Sequence, residues 1–480
     1  MGGGPIGLPP MKKITPALAL AAVLVAGPAL AQNESKDAPP DEVRKEAREI
    51  FQKVISFRTS EGLGQVPAMA QYLAERFQAA GFPAADIHIL PVEETASLVV
   101  RYRGSGRGGK PILLLAHMDV VTAKPEEWQR DPFTLVEENG YFFGRGTLDN
   151  KQGVTVLTST FLRLKREGFV PTRDLIIAFS GDEETGMLTA TDLANKNRAL
   201  VDAEYALNSD DGGGQLDENT GKPQYLSFVG AEKISATYQL TVRNPGGHSS
   251  APRADNAIYE LADALKALQA YHFPVKTNDW TIGSFKATGP VTPGPLGAAM
   301  TRFAANPQDQ DAAATIATVP TEVGKTRTTC VATMLRGGHA SNALPQNATA
   351  TVSCRIFPDT STDEVKATLE QVVGKNVEVR FLGSTPPAGA SPLRKDVLAA
   401  LTKAAHAQYP DIPVVPGMVP WATDGAVYRA AGIPTYGVSG SFIKASDSFS
   451  HGLNERLPVE SFYGELTHWY VLIKELAGKH

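Results

Sequence analysis

The chain has 480 residues with 46 Lys+Arg against 51 Asp+Glu, a formal net charge of −5. At 42% hydrophobic and 20% charged it can bury a sizeable core, and its length suits two domains. The mild acidity argues against nucleic acid or an anionic membrane as partner. Two cysteines exclude a disulfide scaffold and a thiolate zinc site, so any metal must be held by histidine and carboxylates.

Lys12 and Lys13 precede the apolar run Ala17–Ala26, and Ala29-Leu30-Ala31 follows before Gln32. This order predicts a cleavable secretory leader over residues 1–31, with Met11 as a start site, and hence an exported, periplasmic protein. Gly27 and Pro28 interrupt the run, which is too short for a stable membrane anchor.

Helical spacing predicts helices at Val43–Phe57 and Val66–Ala80, then strands at Ile87–Leu90, Ser97–Arg103 and Ile112–Ala116. Lys151–Glu167 reads as a helix and Leu175–Phe179 as a strand buried on both faces. That alternation predicts an α/β catalytic domain with a largely parallel sheet. After Ala231 the texture changes to a strand at Ile234–Val242, a helix at Asn256–Tyr271, paired strands at Cys330–Leu335 and Ala348–Phe357, and a helix at Asp363–Val373. The Pro-, Gly- and Ala-rich stretch Gly289–Lys325 reads as an extended insertion. From Leu393 the α/β pattern returns and ends in the helix Val459–Leu476. The expected division is a leader and upstream extension (1–31), a first catalytic part (32–232), an inserted α+β domain (233–390) and a second catalytic part (391–480).

Gly104–Gly109 matches G-x-G-x-x-G, but Lys110-Pro111 leads into a strand rather than a helix, so a hairpin turn is expected and not a nucleotide site. Five further motifs carry titratable groups at strand ends or in adjoining loops: His117-x-Asp119, Gly144-Arg-Gly-x-x-Asp149, Asp182-Glu183-Glu184, Asp210-Asp211, and His451-Gly-x-Asn-Glu455. Taken singly, each has an ordinary reading: a polar edge, a helix cap, a solvated acidic turn, a glycine-rich turn, an inert loop histidine. Together they supply enough N and O ligands for two divalent ions sharing a carboxylate.

The set resembles the di-zinc aminoacylase and carboxypeptidase family of metallopeptidases, which includes glutamate carboxypeptidase, succinyl-diaminopimelate desuccinylase, carnosinase and carboxypeptidase S. The likeness runs in the family's order over almost the whole chain after the leader. It implies a phosphorylase/hydrolase-like zinc-peptidase catalytic domain with an inserted α+β lid that mediates homodimerisation. It further implies that His117 and Asp210 hold one metal and Glu184 and His451 the other, that Asp149 bridges them, that Asp119 orients His117 and that Glu183 is the general base. Asp211 is the rival to Asp210 as ligand. In the lid, Gly246-Gly-His248 matches a segment whose histidine stabilises the oxyanion, often in the partner subunit's site. Asn342 and Arg355 match positions that bind substrate carboxylate, and Thr423 matches a substrate-side loop.

Two divalent ions are therefore expected, zinc first and cobalt or manganese as alternatives. The expected reaction is hydrolysis of a peptide or N-acyl amino acid amide bond that releases an amino acid with a free carboxylate. An aminopeptidase of related fold and a non-catalytic binding protein are the competing readings. Cys330 and Cys354 are equidistant from position 342 on the presumed hairpin, and could form a disulfide in an oxidising compartment or remain two buried thiols.

Overall fold

The computed structural model of the protein describes residues 36–479, so the expected leader lies outside the described residues. Its main sheet has eight strands, in spatial order Ile87–Val92, Thr95–Tyr102, Leu175–Ser180, Ile112–His117, Tyr205–Leu216, Thr435–Lys444, Pro223–Glu232 and Val414–Val419. The central strands are parallel, and antiparallel pairs flank them. The alternation of side chains along a strand divides the apolar core between two faces. Leu114, Ala116, Ile177 and Phe179 face a layer that includes the helices Asp41–Ser56, Lys151–Arg166 and Val459–Ala477. Leu113, Leu115, Ile176 and Ala178 face the helices Leu188–Asn195 and Gly425–Ala430.

The expected hairpin at Gly104–Gly109 is not one. The strands before and after it are not paired with each other, because Leu175–Ser180 lies between them. The segment instead crosses the approach to that middle strand, with Ser105 N donating to Pro171 O (2.8 Å) and Gly108 N to Thr172 O (2.7 Å). A Cβ at Gly104 would sit 2.4 Å from the Arg173 carbonyl carbon, so close backbone approach accounts for glycine there.

A second, four-stranded antiparallel sheet, ordered Thr329–Gly337, Asn347–Ile356, Ile234–Arg243 and Val377–Ser384, has a separate core under the helices Ala257–Ala270 and Thr362–Val373. A capping box between Ser361 and Glu364 starts the latter helix. Cys330 and Cys354 stand opposite each other in this sheet, Cα–Cα 4.1 Å, and are joined as a disulfide. The first passage of the chain from the main sheet to this lid is Lys233, between the strands ending at Glu232 and starting at Ile234.

The segment expected to be extended, Gly289–Lys325, is instead helical at Gly289–Val291, Gly294–Ala305, Gln310–Ala317 and Pro320–Val323, and the helix Asp279–Thr288 leads into it. Pro295 and Pro320 lie in first turns, where no intrahelical N–H is lost, and the many alanines are strong helix formers. Asn278 and Asp309 cap two of the helices by accepting from Thr281 N and Ala312 N, both at 2.8 Å. Phe285, Met300, Phe303 and Ile316 form a small core of its own. The segment docks on the main sheet and not on the lid sheet. Trp280 stands edge-on to Phe228 (5.0 Å between ring centroids) and donates from Nε1 to Ser391 O (2.8 Å). Among the described residues no helix is long and apolar enough to cross a membrane.

Candidate active site

His117 is the last residue of a central parallel strand and is 1% exposed. Its Nδ1 lies 3.1 Å from the Asp119 carbonyl oxygen and 3.4 Å from the Asp119 carboxylate, so the carbonyl is the closer acceptor. A proton held on Nδ1 by that acceptor leaves the Nε2 lone pair facing Asp149 Oδ1 (3.0 Å) and Asp210 Oδ1 (3.4 Å). On the other side of Asp149, Oδ2 is 3.2 Å from His451 Nε2, which is also 2.9 Å from Glu184 Oε2. Asp149 thus lies between two groups of potential ligands: His117 and Asp210 on one side, His451 and Glu184 on the other. Ligating atoms of His117, Asp149 and Glu184 all lie within 4.8 Å of one another, as do those of His117, Glu183 and Asp210. Two histidines and several carboxylates converging in this way suit hard or borderline divalent cations.

The electrostatics express the same crowding. Burial would push His117 down, but Asp210, Asp119 and Asp149 hold its imidazole well above the usual histidine range. Burial pushes the Asp210 carboxyl up to about 7 against the pull of His117. Glu183 is raised well above the usual carboxylate range, chiefly by burial and then by Asp210 and its other acidic neighbours, with His117 opposing. His451 is raised to about 10 by its contacts with Asp149 and Glu184. Bound cations would relieve this mutual repulsion among the acids.

Asp119 does more than face His117. Its two oxygens accept from the backbone N–H groups of Glu183 (3.1 Å) and Glu184 (3.0 Å), so it sets the loop carrying both acids. Asp182 turns away from the cluster and accepts from Leu188 N (2.6 Å) and Thr189 N (2.9 Å). Asp210 lies within the strand Tyr205–Leu216, which continues through the expected glycine-rich turn. Asp211 lies outside both ligand groups; its Oδ1 accepts from Gly212 N (2.8 Å), and its Oδ2 is buried without a partner.

Two functional positions were not assigned from the sequence. Glu455, fully buried, pairs with Arg145 (2.7 Å) and accepts from Gly146 N, Leu148 N and Asp149 N. Arg145 also donates to the carbonyls of His451 (3.3 Å) and Gly452 (3.1 Å). This brace joins the Asp149 loop to the His451 loop and secures His451 at φ 65°, a left-handed conformation that costs a non-glycine residue about 1 kcal/mol. Arg145 and Glu455 stand inside G-R-G-x-x-D and H-G-x-N-E, but nothing in either motif marks the other as its partner.

The cluster opens into a cavity of about 910 Å³ that is also lined by Arg355, Trp421, Thr423 and, from the helical insertion, Thr321. Arg355 stands across from Ser235 and Thr329 on its neighbouring strands. Lys233, 1% exposed, donates to Arg327 O (2.7 Å); burial and the charge of Arg355 push it down to about 7. Neither cation has a carboxylate partner among the described residues, so this end of the cavity is positive and the cluster end is negative. The Thr423 hydroxyl is 2% exposed and already engaged by protein groups. His248 and Asn342 do not line the cavity. They lie on an exposed two-stranded ribbon in which Gly247 and His248 pair with Leu344 and Ala343.

The model of Peptidase family M20/M25/M40 matches residues 113–475. The N-fatty-acyl-amino acid synthase/hydrolase PM20D1 of Xenopus tropicalis is 31% identical over 372 residues, covering 76% of this chain and 72% of that protein. The probable carboxypeptidase S-like 2 of Dictyostelium discoideum is 27% identical, covering 88% and 82%. The M20 family metallo-carboxypeptidase Sso-CP2 of Sulfolobus solfataricus shares the fold, with a TM-score of 0.68 at 18% identity over 90% of this chain and 99% of that one. A shared family model across both halves of the main sheet, on a fold that gathers these ligands, makes the chain a member of peptidase family M20/M25/M40 and a metal-dependent hydrolase of the peptidase and amidohydrolase kind.

Proposed function

We propose that the protein is an exported, periplasmic hydrolase of N-acyl amino acids or short peptides that releases an amino acid with a free carboxylate. The observation that carries this reading is one cavity holding both the two ligand sets around Asp149 and, at its other end, the unpaired Arg355. The guanidinium suits bidentate pairing with a carboxylate, which favours a carboxylate-bearing leaving group over the aminopeptidase reading. The names of the relatives, an N-fatty-acyl-amino acid synthase/hydrolase and a carboxypeptidase S-like protein, point to the same bond class.

In this reading His117 and Asp210 hold one divalent ion, Glu184 and His451 a second, and Asp149 both, with zinc the expected metal. Bound there, the ions would polarise the scissile carbonyl and acidify the attacking water. Glu183, whose carboxylate lies beside the cluster, takes the proton of the attacking water and passes it to the leaving nitrogen. Arg355 holds the carboxylate of the released amino acid. His248 and Asn342, too far out on the lid to line their own cavity, act in the site of a second copy. The edge strand Thr329–Gly337, with Val331, Met334 and Leu335 exposed, is the surface on which that copy docks.

Elemental analysis of the purified enzyme, with a screen of N-acyl amino acids, dipeptides and amino-acid amides, tests the reading. Two ions per chain and turnover confined to substrates with a free carboxylate are expected; cleavage of the amides alone would overturn it. Glu183→Gln should keep the metal content and lower kcat by about 100- to 10,000-fold.

A further inference from the structure

Strand Pro223–Glu232 ends at a buried acid, and one residue later the chain is in the lid. Glu232 is 6% exposed, and its Oε2 pairs with Arg429 at 2.7 Å. It also accepts two bonds from a single residue: Thr423 N donates to Oε2 (2.9 Å) and the Thr423 hydroxyl donates to Oε1 (2.9 Å). With its proton committed to Glu232, the Thr423 oxygen can only accept at its lone pairs. It does so from Gly425 N (3.0 Å) and from Asn208 Nδ2 (2.9 Å). That contact fixes which way the Asn208 amide points, so that Asn208 Oδ1 accepts from the backbone N–H of Asp210 (3.1 Å). Thr423 and Asn208 are each 2% exposed, so water cannot readily replace a lost partner.

We infer that Glu232 is a positioning residue which, through Thr423 and Asn208, holds the main chain of Asp210 and thereby presents the Asp210 carboxylate to a metal beside His117. The inference rests on Asp210 being a ligand, as proposed above. It gives the Thr423 side chain a task inside the protein in place of substrate contact, and it places a carboxylate at the mouth of the lid in series with the metal cluster. Every donor in the chain has one acceptor, and reversing the Asn208 amide would break two of its bonds at once.

The test compares Thr423→Val, which keeps the shape and removes the hydroxyl, with Thr423→Ser, which keeps the hydroxyl. Apo protein is titrated with Zn²⁺ against a chromophoric chelator, and its melting is followed in parallel. Thr423→Val should weaken the metal affinity of one site by about 10- to 100-fold with the apo melting temperature close to that of the parent, and Thr423→Ser should recover most of the loss. Glu232→Gln should weaken the same site, and the double variant should cost no more than the larger single change, because both interrupt one path. Parental Zn²⁺ affinity in Thr423→Val, a Thr423→Ser as weak as Thr423→Val, or losses that add in the double variant would each overturn the inference. If Thr423→Val does not fold, Asn208→Ala cuts the path one step nearer Asp210, and parental affinity there overturns it equally. An enzyme that binds two ions but cleaves nothing in the screen would sink the substrate reading and leave the titration valid.

Discussion

His468 shows how a single buried side chain can set acid tolerance. It is fully buried, its Nε2 donates to Val438 O (2.8 Å), and Nδ1 has no hydrogen-bond partner among the described residues. Burial pushes its pKa down to about 4. A second proton would have to sit on Nδ1 with nothing to accept it. Between its ordinary value near 6.5 and about 4, the unfolded chain therefore binds more protons than the folded one, and stability falls as pH falls through this window. The contribution is about 3 kcal/mol, fully present above pH ~6.5 and lost by pH ~4. Replacing His468 by Gln, which keeps a donor for Val438 and does not titrate, should flatten denaturant-measured stability over that range; an unchanged pH slope would contradict this. At the same scale, the motifs that converge on the acidic cluster were legible because each is short and self-contained. The Arg145–Glu455 brace was not, because its partners are 310 positions apart and spacing within either motif says nothing about the other.

At the scale of elements, the buried central strands and the long amphipathic helices were legible from periodicity, since burial on one or two faces writes itself into consecutive residues. Two elements were misread for identifiable reasons. Gly104–Gly109 reads as a hairpin only if neighbours in sequence are neighbours in the sheet, and a later strand intervenes. Gly289–Lys325 reads as extended only if proline and glycine break helices at every position, and Pro295 and Pro320 stand in first turns. The helical insertion is held on the main sheet by Gly283 packed on Pro416, by Asn278 Nδ2 bonded to Met418 Sδ (3.4 Å) and by the buried Trp280. A Cβ at Gly230 would fall 1.9 Å from its Cζ2, so the glycine exists to admit the ring. Trp280→Ala should cost about 3–5 kcal/mol and release the insertion from the sheet. Faster proteolysis within residues 279–323, with a lowered melting temperature, is the expected reading; parental resistance to cleavage would show that the smaller core around Phe285 and Phe303 suffices.

At the scale of the whole molecule, the proposed site is incomplete within one chain, because His248 and Asn342 lie on the lid's exposed ribbon and away from the cavity. A dimer through the edge strand therefore predicts complementation. Glu183→Gln and His248→Ala should each be nearly inactive alone, and on mixing and exchange should regain about a quarter of parental activity, since half of the chains enter mixed dimers and each mixed dimer has one intact site. Absence of any recovery under conditions where light scattering shows subunit exchange would exclude a shared site. A charge placed on the edge, Leu335→Glu, should yield monomers.

The path of the chain between main sheet and lid has a mechanical consequence. The backbone passes between them four times, not two, because the helical insertion returns to the main sheet. The outer two passages lie side by side, with Thr385 N bonded to Ser235 O (2.9 Å) and Ser391 N to Gly230 O (2.8 Å). The inner two are likewise tied, Lys276 N to Thr326 O (2.8 Å), and Lys233 Nζ reaches Arg327 O to link the two pairs. Two pivots define a line. Two tied pairs of crossings restrain the lid sheet more than a single tether would, so any rotation of the lid is expected to run about the line through them, carrying Arg355 along an arc.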